Sequence, residues 1–383
     1  LIKLNSILLL VIALTFQCTS QDSKTSEINQ NDFSEIDELI SDAITDSIFP
    51  GAVVLVSKAD SIVYDKGFGH FTYDKNSSPV STETTYDIAS LTKVVATTTA
   101  IMICYDRDLF EPDDPVSKYI AEFALNGKEN ITIKNLLLHN SGLPAWKKYY
   151  GLNLSTEEII NDIYSLKPEY KTGTKTVYSD LGFVVLGKII EILSGKTLDK
   201  FCDEEIFKPL EMNNTFFNPD SSFRQKIAPT EYDNYWRMKQ IQGEVHDEIA
   251  YLLGGVSGNA GLFSTANDLS GFLRMILNRG NYNGSQFIKE ETIKLFTKKF
   301  SAENTRALGW DIKSKSGSSA GKYFDESSFG HTGFTGTSLW IDPVKKLFVV
   351  FLTNRVYPSR ENNKIYELRP KLHDAIINSL DLN

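Results

Sequence analysis

Asp87-Ile88-Ala89-Ser90-Leu91-Thr92-Lys93, followed by the uncharged run from Val94 to Ile103, is the stretch on which the fold of this chain turns. Residues three apart share one face of a helix. A helix from Ser90 to about Arg107 therefore sets the Lys93 amine beside the Ser90 hydroxyl. A serine hydroxyl is a poor nucleophile without an adjacent base. Lysine serves as that base when burial or nearby positive charge lowers its pKa. Ser-x-x-Lys alone is common, and a solvated helix turn is the plain alternative. Here the lysine heads a helix without another charge for ten residues, and a buried charge needs a reason to be there.

Working outward, Tyr178-Ser179-Asp180 sits just before a second apolar helical pattern that starts near Leu181. A phenol held close to a lysine ammonium loses its proton more readily and can relay protons to a leaving group. Asp180 can orient Lys93 by charge and hydrogen bond. The alternative is a helix-capping Asp beside a packed Tyr, and both readings can hold together. Further on, His331-Thr332-Gly333 lies in the small-residue stretch 328–337, just ahead of an apolar strand. Small residues there let an extended substrate lie against a strand edge. The Phe334 N–H, paired with that of Ser90, is placed in sequence to serve as an oxyanion donor. A glycine-rich turn into a strand is the competing reading.

In this order the three elements resemble the serine β-lactamase and penicillin-binding protein superfamily, whose motifs include S-x-x-K and K-T-G. Tyr178 and the spacing look more like class C β-lactamases and D,D-carboxypeptidases than class A. The stretches 131–143, 308–310 and 254–266 resemble the same branch, so the likeness spans nearly all of the chain beyond residue 31. It implies that Ser90 is acylated, that Lys93 and Tyr178 handle protons, and that Asp180, His331, Thr332 and Gly333 support the substrate. The Ser90 and Phe334 amides form the implied oxyanion site, and no cofactor or metal is implied. Two departures matter. Asp180 stands where Asn is usual, and its charge would raise the Lys93 pKa and oppose its use as a neutral base. His331 stands where β-lactamases have Lys, a pattern familiar among D,D-peptidases; an unperturbed His titrates near ~6.5. The segment 243–248 resembles a bacterial subgroup of serine hydrolases, in which Asn259 replaces a frequent His. The implied substrate is a D-alanyl cell-wall peptide or related amide. β-Lactams and esters are the alternatives within the fold, and a non-catalytic penicillin-binding sensor is the alternative outside enzymology.

The rest of the chain bounds these readings. Its 383 residues are 41% hydrophobic and 23% charged, enough for a large core without disulfide or metal support. The net charge of −9 is well mixed, with no basic run or aromatic-basic ladder, so nucleic acid is an unsuitable partner. Lys3, the apolar run Ile7 to Phe16 and Cys18 read as an export leader, too short to span a bilayer. Cys18 is a candidate for lipidation and hence membrane attachment. Its upstream Thr15-Phe16-Gln17 departs from the lipoprotein pattern, so a periplasmic protein and an anchored bacterial lipoprotein both stand. Cys104 and Cys202 make neither a disulfide framework nor a metal site. His246-Asp247-Glu248 suggest a metal at first glance. Three consecutive side chains cannot converge on one ion from regular structure, so a loop role is expected.

Strands read at both ends, near residues 52–57, 62–67, 338–341 and 347–353, and helices in the middle. The expected architecture is α/β: a three-layer β-lactamase/transpeptidase-like fold with an antiparallel sheet flanked by helices and an inserted helical domain. Residues 1–31 form the leader and polar tether, and 32–383 the hydrolase domain. Within it the α/β part takes about 32–89 and 231–383, and the helical part about 90–230.

Overall fold

Ala52 to Val56 are all completely buried, which an apolar strand achieves only when both faces of its sheet are covered. The computed structural model, which describes residues 32–301 and 304–382, builds that sheet from six strands. They are β1 (Gly51–Lys58), β2 (Ser61–Gly69), β3 (Asp311–Ile312), β4 (Phe329–Thr332), β5 (Ser338–Asp342) and β6 (Leu347–Thr353). Their spatial order is β3-β4-β5-β6-β1-β2, and every neighbouring pair is antiparallel. Ala52 pairs with Thr353 and Lys58 with Leu347, so the first and last strands of the described residues are neighbours inside the sheet. The leader, Cys18 and the polar tether lie outside the described residues.

Side chains alternate across a strand, and here both sets are apolar. Val54, Val56, Val349 and Phe351 face a layer formed by α1 (Ser34–Thr45) and the C-terminal helix. Val53, Leu55, Val350 and Leu352 face the larger core that continues into the helices between the sheet halves. Phe351 meets Phe49 edge-on at 5.7 Å between ring centroids. Truncating such a buried Phe costs about 3–5 kcal/mol.

The intervening segment contributes α2 (Thr99–Asp106), α3 (Asp180–Ser194) and α4 (Ala266–Leu277), with shorter helices at Ile133–Leu137 and Thr156–Ser165. The last helix is α5 (Ile365–Ser379). Gly195, at φ +70°, ends α3 as its position after the apolar pattern suggests. Thr265 caps α4 by accepting from the Asp268 amide. The Asp268 carboxylate itself accepts from Asn214 N and Thr215 Oγ1.

The helix expected from Ser90 to Arg107 is three pieces. A 3₁₀ turn covers Ala89–Leu91, a wide π-helical turn covers Lys93–Thr98, and α2 follows. Thr99 Oγ1 donates to Val94 O at 2.8 Å, five residues back, which suits the widened turn. Its neighbours Val94, Val95, Thr97 and Thr98 are β-branched and have modest helix preference. Cys104 and Cys202 are buried free thiols.

Candidate active site

Ser90 is presented by a strained turn. Ala89 before it has φ +48°, a left-handed conformation that a residue with a Cβ adopts only when its surroundings enforce it. The surroundings are the Asp87 carboxylate, which accepts from Ala89 N at 2.8 Å and from His246 N at 2.7 Å, and Thr92 Oγ1, which donates to Ala89 O at 2.7 Å.

The wide turn then aims Lys93 inward. Its Nζ, completely buried, donates to Ser90 Oγ at 3.1 Å, Asp180 Oδ1 at 2.6 Å and the Asn259 carbonyl at 2.8 Å. An ammonium has three donors, and all three are used. Asn259 arrives because Gly258 packs directly on α3. A Cβ on Gly258 would fall 2.1 Å from Phe183 O. One turn beyond Lys93, Thr97 Oγ1 fastens the same loop through Gly258 O at 2.7 Å. Burial by itself would depress the Lys93 pKa, but Asp180, with a smaller contribution from Tyr178, outweighs it and holds the amine above the usual lysine range. The effect expected of Asp180 is therefore present, and the resting site holds an ammonium. Asp180 is the first residue of α3, and the cap is Ser179, whose Oγ accepts from Gly182 N.

Tyr178 is placed by His139. The Ser179 amide donates to His139 Nδ1 at 3.0 Å, and the His139 and Tyr178 rings pack tilted at 34°, 4.6 Å between centroids. The Lys93 ammonium lies 4.9 Å from the centre of the Tyr178 ring. Burial raises the phenol's pKa and the ammonium offsets only part of this, so Tyr178 rests protonated. Its hydroxyl has no directed hydrogen-bond partner. The same holds for Nε2 of His331, whose ring centroid lies 5.9 Å from that of Tyr178. Two buried polar atoms without partners mark where substrate atoms would be accommodated.

His331 differs from its sequence reading. It is buried, its Nδ1 pairs with Thr332 O at 2.9 Å, and burial together with Arg306 and Lys93 pushes its pKa well below the ordinary histidine value. It is neutral at pH 7 and does not titrate near ~6.5. A proton there would enter a buried position beside two cations, Arg306 and Lys93.

The three sequence elements converge on one cavity of about 570 Å³, lined by Ser90, Tyr178, Asp180, His331, Thr332 and Gly333 among others. Phe334, 44% exposed, stands at its rim, and its amide makes no backbone hydrogen bond.

Sequence reasoning missed much of the wall. His246, Asp247 and Glu248, read as loop residues, all line the cavity, and they point three ways. His246 Nε2 meets Glu231 at 2.9 Å, Asp247 Oδ1 accepts from Asn259 Nδ2 at 3.1 Å, and Glu248 pairs with Arg360 at 2.9 Å. Arg360 also chelates Glu231, and Arg306 pairs with Asp311, so these two guanidiniums in the wall are neutralised. Burial, reinforced by Asp180, raises the Asp247 carboxyl to about 6. Glu231 and Arg360 are far apart in sequence and carry no motif, so no local signal pointed to them.

The β-lactamase family model matches residues 36–371. The N-acetylmuramyl-L-alanine amidase of Bacillus subtilis (strain 168) is 34% identical, with 90% of this chain and 87% of that protein covered. A protein of Escherichia coli (strain K12) named "Putative D-alanyl-D-alanine carboxypeptidase" is also 34% identical, over 88% of this chain and 85% of its own length. Among solved structures, a penicillin-binding protein homologue from Caulobacter crescentus superposes with a TM-score of 0.73 at 18% identity, covering 91% of this chain and 97% of that one. EstCE1, described as a hydrolase with promiscuous acyltransferase activity, gives a TM-score of 0.72 at 21% identity, covering 90% and 97%. At these identities the structures speak for the fold.

Proposed function

The chain belongs to the β-lactamase family of serine hydrolases, and on that premise we propose that it hydrolyses an amide of a cell-wall peptide through an acyl-enzyme on Ser90. The observation that carries this is the completely buried Lys93 ammonium, bonded to Ser90 Oγ at the cavity floor. In this reading Ser90 Oγ attacks the carbonyl carbon while its proton passes to Lys93 as Lys93 yields one to Asp180. The Ser90 and Phe334 amides receive the oxyanion. Collapse breaks the C–N bond, and the leaving amine takes a proton relayed through Tyr178 and Lys93. Water then cleaves the Ser90 ester by the reverse relay. His331, neutral, offers Nε2 as an acceptor beside Thr332 and Gly333.

A D-alanyl peptide is the first substrate reading, in line with the name of the Escherichia coli relative. A second is the amide between a muramyl group and alanine, in line with the Bacillus relative's name. A D-alanyl terminus carries a carboxylate that a cation would pair with; Arg306 and Arg360 in the cavity wall are already ion-paired, whereas Arg369, which also lines the cavity, meets only carbonyl oxygens. β-Lactams and esters remain as probes of the same nucleophile.

Intact-mass measurement over time tests the reading with a D-alanyl-D-alanine peptide, a muramyl-L-alanine peptide, a penicillin and a short-chain ester. An adduct that maps to Ser90 and turns over fastest with one of the two wall amides is expected. No adduct or turnover with any of the four, or an adduct elsewhere, would sink it.

Export completes the proposal. Residues 1–31 serve as leader and tether, and 32–383 as the hydrolase, with its helical part at about 90–230. The mature protein begins at or after about Cys18, lipidated or free in the periplasm. Recovery of the uncleaved chain from the cytoplasm of its native host would contradict this.

A further inference from the structure

Two arginines are left over from this chemistry. Arg355 and Arg369 are almost fully buried, and their guanidiniums meet carbonyl oxygens where Arg306 and Arg360 meet carboxylates. Arg355 Nη2 and Arg369 Nε have no hydrogen-bond partner. A buried guanidinium without a counter-ion is costly, so the fold keeps these two against their solvation preference.

What they hold is the turn after β4. Arg369, on α5, donates from one nitrogen to Gly333 O at 3.1 Å and to Thr337 O at 2.8 Å. Arg355 Nε donates to Phe334 O at 2.8 Å. The Gly333 carbonyl belongs to the same peptide unit as the Phe334 N–H. In a planar trans peptide these two groups point in opposite directions. Fixing the oxygen from the α5 side therefore fixes the N–H on the other side. A hydrogen bond to the carbonyl also polarises the N–H it is conjugated with.

The turn is registered against the nucleophile as well. Thr335 Oγ1 donates to Asp87 O at 2.8 Å and Thr337 Oγ1 to Ile88 O at 3.1 Å, just ahead of Ser90. Gly333 lies so close that a Cβ on it would sit 2.6 Å from Ile88 O.

We propose that Arg369 is a positioning residue of the oxyanion site: it holds the Gly333–Phe334 peptide so that the Phe334 N–H faces the acyl carbonyl on Ser90, and its unneutralised charge, with that of Arg355, favours the oxyanion. The inference rests on the reading of Ser90 as the acylated residue. Burial and Arg355 lower the Arg369 pKa to about 10, which leaves it charged at neutral pH.

The test reads the acyl carbonyl directly. The enzyme is acylated with a penicillin carrying a ¹³C label at the lactam carbonyl, and the isotope-edited infrared band is recorded. The wild-type band is expected at lower frequency than the same ester in water. Arg369→Met should move it upward and lower kcat/KM by ~10²- to 10³-fold, the usual loss for one oxyanion donor. Arg369→Lys keeps a cation, but its shorter, non-planar head group does not reach the two carbonyls in the same geometry, so about a tenfold loss and an intermediate band are expected. This variant carries the test if Arg369→Met does not fold. Losses should be equal for an uncharged ester and a carboxylate-bearing peptide. A wild-type band in a folded Arg369 variant would overturn the proposal. So would a loss confined to the carboxylate-bearing peptide, since Arg369 would then anchor substrate. Failure of the wild type to form any acyl-enzyme would instead defeat the Ser90 reading, and this inference with it.

Discussion

Lys93 and Arg369 are both buried positive charges beside the same cavity, yet the fold treats them in opposite ways. Lys93 has a carboxylate, Asp180, at 2.6 Å, and its pKa rises despite complete burial. Arg369 has only backbone carbonyls, and its pKa falls to about 10. Burial disfavours charge in both, and the partner decides the outcome. The lysine is held ready to give and take protons with a neighbour. The arginine, which stays charged across the working range, suits a fixed field.

The largest expected effect breaks the comparison at its centre. Ser90→Ala should abolish acyl labelling and lower kcat by ~10⁴- to 10⁶-fold while the melting curve stays close to wild type. Labelling that persists would mean that the Lys93 ammonium serves some other group.

Asp180→Asn comes next, because it turns Lys93 into a cation without a counter-charge, as Arg369 is. With the raising influence gone and burial left, the limb of the kcat/KM profile that titrates with Lys93 should move to lower pH. Stability should fall by ~1–3 kcal/mol, less than for a sealed pair because the Asp180 side chain is 20% exposed. The sign follows from linkage. The folded Lys93 pKa is raised, so the pair's contribution is full below the unfolded lysine value of ~10.4 and is lost as pH rises through the folded value. A denaturation series that shows the same deficit at neutral and strongly alkaline pH would contradict this.

Asp247→Asn sharpens the comparison from the anionic side. Asp247 is buried near Asp180 with its carboxyl at about 6, so its ionisation weakens the fold. Below the unfolded value of ~3.9 both states are protonated and the residue costs nothing. The penalty grows from there to about pH 6 and is then constant. Asn keeps an oxygen to accept from Ala250 N and Asn259 Nδ2. The variant should therefore gain ~1–3 kcal/mol over wild type, with the gain appearing between about pH 4 and 6 in urea titrations. A pH-independent difference would place the Asp247 charge outside the electrostatics of the site.

The smallest effect concerns His331. Held neutral, it should contribute no limb to activity between about pH 5 and 9. His331→Gln should then give a profile parallel to wild type on both a D-alanyl peptide and an uncharged ester, with a modest uniform loss. A neutral limb that vanishes in the variant would show that His331 takes up a proton during turnover.

The strands and helices of the two ends were legible because their apolar residues repeat with the period of the element that buries them. β1 and β6 need only their own sequences to be recognised as doubly covered strands. Ser90, Lys93, Tyr178 and His331 were legible as residues that meet at one site because they come in short local patterns. The continuous Ser90 helix was misread, since periodicity does not register a wide turn held by a threonine hydroxyl. Half of the cavity wall escaped as well. Arg306 and Arg360 reach it through loops whose local sequence resembles any other polar loop.

The sequence by itself therefore determined the main strands and helices of the two ends, the short patterns that meet in the cavity and the family to which the chain belongs. It also carried the warning that Asp180 would raise the Lys93 pKa. Only the tertiary structure decided which oxygens fill the other donors of Lys93, that His331 is neutral, and that Arg369 grips the peptide opposite the Phe334 amide. The physical reason is that periodicity and motif are properties of neighbours along the chain. Protonation state and hydrogen-bond direction depend instead on dielectric and distance, which Asn259, Arg306 and α5 set from far away in sequence.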